Sequence, residues 1–255
     1  MMAHVARRFR VGCYRVLLLC VFASGATGEA QLTPVTAKVE LVATNEEKPA
    51  SRGSTGAATD ASNVAVWLTP LSENGTPRSA GTAPSGPAPQ LIQRNKTFQP
   101  HVLMIEVGTL IQFPNKDPFF HNVFSLYDGK RFDLGLYEAG TTRSVRFSRP
   151  GVSFLFCNIH PEMSAVVVAV DTPYFALSDS KGRVMMSNVP DGRYEMHVWY
   201  ERSPVEQLKV LDHPVVISPT ARSLGTIQVT DNRDFKLTHE NKYGQDYVPP
   251  ATTAY

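Results

Sequence analysis

Gly151-Val152-Ser153-Phe154-Leu155-Phe156-Cys157-Asn158-Ile159-His160-Pro161-Glu162-Met163 places a thiol, an imidazole and a thioether within seven residues, directly after an alternating apolar run. Pro150-Gly151 supplies a tight turn into that run. Period-2 alternation then sets Val152, Phe154 and Phe156 on one face of a strand and delivers Cys157 from a rigid element. Soft sulfur donors with imidazole select copper over hard cations, and a trigonal Cys/His/His set with a weak axial Met is one such arrangement. That set needs a second histidine. His121, in Phe119-Phe120-His121-Asn122-Val123-Phe124, is the best candidate, because it follows the loop Pro114-Asn115-Lys116-Asp117-Pro118 and opens another apolar stretch.

The rest of the cysteine inventory sharpens this reading. Arg7, Arg8, Arg10 and Arg15 precede an apolar core at residues 16–23, and small residues follow near Gly28, so residues 1–30 read as a secretory signal. The apolar core is too short to span a bilayer, and no later segment approaches about 18 uncharged apolar residues, so no integral membrane segment is expected after cleavage. Cys20 follows two leucines where a lipoprotein signal wants small residues, which disfavours a lipid anchor. Cys13 and Cys20 leave with the signal, and Cys157 is then alone in an exported chain, without an internal disulfide partner. A buried small hydrophobe is the plain alternative for such a cysteine. His160 and Met163 beside it favour a ligand. Zinc wants more Cys or His nearby, and c-type haem needs C-x-x-C-H; neither pattern is present.

Charge excludes other classes. Removing residues 1–28 takes away four arginines and no acid, leaving 21 basic residues against 23 acidic ones. The basic balance of the full chain belongs to its N-terminus, and no basic stripe interleaved with aromatics remains for nucleic acid. No Gly-flanked Ser elbow, helix-borne metal motif or H-x-H pair appears, so nothing supports an enzyme. His101, His197, His213 and His239 lack a paired ligand at short spacing and read as surface or packed residues.

Short runs rich in Val, Ile, Phe, Tyr and Thr, separated by Gly, Pro, Asn and Asp clusters, predict an all-β chain of sandwiches. Residues 31–71 hold two strand-like runs, 36–43 and 63–69. A Pro/Gly-rich linker occupies 72–89, and residues 90–170 form a denser strand-rich module carrying His121, Cys157, His160 and Met163. Residues 171–230, with Val189-Pro190-Asp191-Gly192-Arg193-Tyr194 before a strand, predict the remainder of a second small sandwich. Residues 231–255 read as a flexible tail.

The ligand loop resembles that of the cupredoxins, Greek-key β-sandwich blue-copper proteins that include plastocyanin, pseudoazurin and amicyanin. The short C-x-x-H-x-x-M spacing with Pro161 is most similar to amicyanin, and His121-Asn122-Val123 resembles the first-ligand region. The fuller run through Phe132-Asp133-Leu134-Gly135 to Thr172-Pro173-Tyr174-Phe175 is similar to bacterial plastocyanin-like proteins labelled methylamine-utilisation proteins. The flanks resemble the carboxypeptidase-regulatory-like, transthyretin-like sandwich, into which the copper module is either inserted or set between consecutive units. The resemblance implies one type 1 copper with His121, Cys157 and His160 as equatorial ligands and Met163 as the axial one.

Four protein ligands leave no open position, so the expected role is a one-electron carrier in the periplasm or outside the cell. Its expected partners are transient redox proteins such as a c-type cytochrome or a dehydrogenase. An envelope copper-sequestering protein and a non-redox scaffold are the alternatives. Asn122 is the candidate supporting residue beside the ligands, its backbone and side chain tying the first-ligand strand to the Cys157 loop, against the alternative of an ordinary turn residue. Phe119, Phe120, Ile159 and Pro161 are candidates for an apolar rim around His160, or for core.

Overall fold

A computed structural model describes residues 33–44, 60–73, 86–126 and 129–247. The expected signal at 1–30, most of the linker and residues 248–255 lie outside them. The chain begins with β1 (Val35–Ala43) and β2 (Ala65–Pro70). It continues through β3 (Ile92–Arg94), β4 (Thr97–Gln99), β5 (Val102–Glu106), β6 (Leu110–Pro114), β7 (His121–Ser125), β8 (Phe132–Tyr137), β9 (Thr142–Arg146), β10 (Gly151–Cys157) and β11 (His160–Val170). It ends with β12 (Phe175–Leu177), β13 (Arg183–Met186), β14 (Gly192–Trp199), the single-turn helix α1 (Val205–Lys209), β15 (His213–Ile217) and β16 (Ser223–Asp231). The described chain is therefore all-β apart from that one turn.

The first sandwich is built from both ends of the sequence. In β1, Val35, Ala37 and Val39 point inward and Thr36, Lys38 and Glu40 outward, the alternation of a sheet with one wet face. β1 lies between β13, antiparallel, and β16, parallel. The facing sheet has the order β12-β2-β14-β15, all antiparallel. Val35, Val39, Leu68, Val184, Tyr194, Val198 and Val229 fill the space between them. Since β1 and β2 pair only with strands after residue 174, the strands from β3 to β11 form an insertion in this sandwich.

The insertion has a five-stranded sheet of order β5-β11-β10-β7-β8 and two antiparallel pairs, β6-β9 and the hairpin β3-β4. β11 lies between β5 and β10 in that sheet. Ala165 to Val170 are all buried, because Ala165, Val167 and Ala169 face the inserted module's own core while Val166, Val168 and Val170 face the other way. That second face meets Ala65, Trp67, Phe175 and Trp199 of the first sandwich, so β11 is wedged between two cores. A strand buried on both faces carries a near-continuous apolar run, and its parallel neighbour β5 fits the same rule.

β10 divides its side chains likewise. Leu155 and Cys157 join the inner core with Phe113, Val123, Phe147 and Met163, whereas Val152 and Phe154 lie toward the first sandwich, Phe154 edge-on to Trp199 at 6.3 Å. The face expected to be packed, 152/154/156, is thus opposite the one that carries the sulfur. Residues 231–247, expected to belong to a flexible tail, make contacts with the rest of the chain. Asp231 is buried against Arg202, 2.9 Å from its Nε, and the chain then folds back across the ligand loop.

Leu155 has no exposed surface and sits on the Cys157 face of β10. Leu155→Ala is expected to cost about 2–5 kcal/mol of stability, read as a lower midpoint in urea denaturation.

Candidate metal centre

The ligand loop is a strand reversal. Cys157 pairs with His160 across Asn158-Ile159, so the last residue of β10 and the first of β11 present thiol and imidazole to one side. β7 lies beside β10 with Phe124 opposite Phe156, and this brings its first residue, His121, to the same spot. Cys157 Sγ is 3.7 Å from His121 Nδ1 and 3.6 Å from His160 Nδ1. The three donor atoms form a potential metal group within 4.8 Å of one another, the only such group among the described residues. Metal–nitrogen bonds of about 2.0 Å and metal–sulfur bonds of about 2.3 Å put such donors about 3.5–3.7 Å apart when their angles lie between tetrahedral and trigonal. The spacing fits one ion, and the N₂S donor set is of the kind that takes copper. Met163 is fully buried in the same core cluster as Cys157, although it belongs to a strand whose first three residues are part or fully exposed.

His121 is positioned by a partner that the sequence reading left in a loop. Its Nε2 lies 2.8 Å from Asp117 Oδ2, which directs the N–H there and leaves Nδ1 free toward the sulfur. The carboxylate is itself held. Asp117 Oδ1 accepts from the Asn95 amide at 2.6 Å, and Oδ2 from the Lys96 amide at 3.0 Å. Asn95 and Lys96 form the two-residue turn between β3 and β4, both at φ +55°, the left-handed backbone of a type I′ hairpin. Asn115 completes the loop, accepting from the Asp117 amide through Oδ1 at 3.0 Å and donating to the Phe119 carbonyl at 2.8 Å. Burial pushes the Asp117 carboxyl up, but the Lys96 amide, the His121 ring and the Asn95 amide outweigh it and hold the group below the ordinary carboxylate value. A carboxylate behind a ligating imidazole fixes its tautomer and raises its basicity. Asp117 carried a weak signal in the sequence, as an acid four residues before a candidate ligand.

Burial raises the Cys157 thiol above its usual value, although the amides of Asn122, Ile159 and His160 aimed at the sulfur pull the other way. The His160 imidazole is lowered, first by burial and then by the charges of His121 and Lys96. At neutral pH the free protein therefore holds a protonated thiol and a neutral His160.

Asn122 divides its roles. Its amide points at the sulfur, while its side-chain Nδ2 donates to Asp133 Oδ1 on β8 at 2.7 Å. Around His160, Phe119 (36% exposed), Phe120 (54%) and Ile159 (44%) are surface residues rather than core, and Pro161 is exposed as well. The Phe119 ring centroid is 5.2 Å from that of His121 and 5.6 Å from that of His160. Of the other histidines, His101 pairs with Glu201 at 2.7 Å, His197 with Asp212 at 3.0 Å, and His213 with the Leu211 carbonyl. His239 differs: it touches the ligand loop, as does Tyr247. The alternation Phe235-Lys236-Leu237-Thr238-His239-Glu240 was the available signal.

No family model matches the sequence, and no curated protein matches it. Among solved structures, the chain is similar to a purple cupredoxin from Nitrosopumilus maritimus, at 26% identity over 32% of this chain and 99% of that one, TM-score 0.30. It is also similar to a copper-containing nitrite reductase from Thermus scotoductus SA-01, at 25% identity and TM-score 0.32 over 37% of this chain, which spans a quarter of that one. A third is the oxidized form of an amicyanin mutant, at 20% identity over 32% of this chain and 82% of that one, TM-score 0.31.

Two outcomes are expected of copper binding. Because the Cys157 thiol is raised and must ionise to ligate, loading at pH 7.5 should release its proton, and affinity should climb about tenfold per pH unit from 6.5 to 8.5. The slope should steepen further in acid, below the lowered His160 value, and competition with a chelator across pH reads both. Asp117→Ala should weaken copper binding about 10–100-fold in the same assay, with Asp117→Asn, which keeps an acceptor, losing less.

Proposed function

We propose that this protein is an exported one-electron carrier that holds a single type 1 copper through His121, Cys157 and His160, with Met163 as the weak axial donor. The observation that carries the reading is the buried sulfur with two imidazole nitrogens 3.6 and 3.7 Å away, each nitrogen the Nδ1 and each on a different strand. Copper would supply a Cu(I)/Cu(II) couple at that point. The chain's own residues do the rest. Asp117 holds His121 in one tautomer, and the three amides at the sulfur stabilise its thiolate form and reduce the charge it presents. Rigid strands on both sides let the donors keep their places through a change of charge. With four donors from the protein there is no position for substrate, which favours transfer over catalysis.

Electrons would enter and leave at His160, the one half-buried imidazole of the three-donor group, through the small apolar surface of Phe119, Phe120 and Ile159. Such a patch suits a weak, short-lived encounter with another redox protein, for which a c-type cytochrome or a dehydrogenase is the expected kind. Export rests on the basic and apolar pattern of residues 1–30. No helix among the described residues is long and apolar enough to cross a membrane.

The test is the visible spectrum after Cu(II) addition, beside Cys157→Ser. An intense band near about 600 nm that disappears in the variant and bleaches reversibly with reductant is the expected result, since it reports thiolate-to-copper charge transfer. A protein that binds Cu(I) tightly and stays colourless with Cu(II) would instead be a sequestering protein.

A further inference from the structure

The C-terminal segment makes four separate contacts with the ligand loop and with Phe156 just before it, none of which the electron-carrier reading uses. It leaves the first sandwich at Asp231, which is buried and paired with Arg202, and the Asn232 amide donates to the Arg202 carbonyl at 3.0 Å. From there Phe235, Leu237 and His239 turn inward at every second residue while Lys236, Thr238 and Glu240 face solvent. Phe235 and Leu237 line a groove with Val152, Phe154 and Trp199, on the outer face of β10. His239 then stacks on Phe156, with ring centroids 3.8 Å apart and planes 21° from parallel.

Beyond that point the contacts are hydrogen bonds to the loop backbone and its turn. His239 Nε2 donates to the Pro161 carbonyl at 2.9 Å, and Tyr247 Oη donates to the Cys157 carbonyl at 3.0 Å. The Lys242 amide donates to Asn158 Oδ1 at 3.0 Å, and Lys242 Nζ reaches Asp133, the residue that also holds the Asn122 side chain. The two carbonyls bracket His160 in the chain. His160 is the donor nearest solvent, and its own side chain is half-exposed, so its position depends on the backbone on either side of it.

We propose that residues 235–247 are a clamp that holds the Cys157–Pro161 loop in ligating shape, with His239 and Tyr247 as positioning residues for Cys157 and His160. The clamp acts on the free protein as well as the loaded one, since all four contacts are made with protein groups alone. It rests on the proposed copper site only for its consequence, slow release of the ion. A two-residue turn carrying two ligands gains most from outside restraint, because a small backbone shift moves both donors.

The experiment compares the purified wild-type protein with Tyr247→Phe, His239→Ala and His239→Gln, the last keeping a side-chain donor. Hydrogen exchange of the metal-free proteins reads the Ile159 and His160 amides, which point at the sulfur, and transfer of copper to a chelator reads release. Loss of one hydrogen bond should speed both by roughly fivefold in Tyr247→Phe, more in His239→Ala, with partial recovery in His239→Gln. Amides of β14 in the first sandwich should exchange unchanged. Equal protection at Ile159 and His160 in all four proteins would overturn the clamp, as would a loss spread evenly over β14 and the loop, which marks a general stabiliser. If wild-type protein takes up no copper, the carrier reading fails, and the exchange rates of the metal-free proteins still decide the clamp.

Discussion

Cys157 is buried where two antiparallel contacts of β10 meet, one with β11 across the Asn158-Ile159 turn and one with β7 at Phe124 and Phe156. Everything at the centre follows from that register. Sliding β10 by one residue would turn Cys157 out of the core and away from both imidazoles, because side chains alternate faces along a strand. The register is held by burial on both sides of the sheet: Leu155 is committed to the inner core, and Val152 and Phe154 to the contact with the first sandwich. A strand with two buried faces has no cheap alternative alignment.

That double commitment also explains why two sandwiches occur in one chain. β11 supplies Val166, Val168 and Val170 to the contact with Ala65, Trp67 and Trp199, so the inserted module covers its outer face with the sandwich that hosts it. The host in turn is completed only after the insertion ends, when β12, β13, β14 and β16 come to lie against β1 and β2. The C-terminal segment extends the same logic, covering the outer side of β10 with Leu237 and His239.

The polar part of the centre is a chain of held groups. The left-handed turn at Asn95 and Lys96 offers two amides to Asp117, Asp117 takes the far nitrogen of His121, and the near nitrogen is left facing the sulfur. Burying a carboxylate is tolerable here because each oxygen has donors. Three amides converge on the sulfur from the other side, two of them from the ligand loop itself. A free thiol in that setting is protonated, so the site is prepared in shape rather than in charge, and the metal must displace a proton to enter.

Much of this was legible in the sequence because it is local. Alternating apolar runs fixed the class as all-β, and the donors of Cys157-Asn158-Ile159-His160 lie within one turn, where spacing alone brings them together. His121 could be singled out by residue type and by its place at the start of an apolar stretch. What chain order did not contain was distance between remote segments. Asp117 is four residues from His121 yet acts only because a hairpin more than 20 residues upstream supplies its amides. His239 and Tyr247 lie about 80 and 90 residues from the carbonyls they hold, and a polar, turn-rich composition concealed a segment whose every second residue packs inward. The sequence by itself determined the strands and the sulfur–imidazole chemistry of the loop, since these follow from side-chain period and donor type. Only the tertiary structure decided which carboxylate orients His121, which face of β10 meets which core, and what covers the loop, since these depend on register and packing between segments that no local pattern relates.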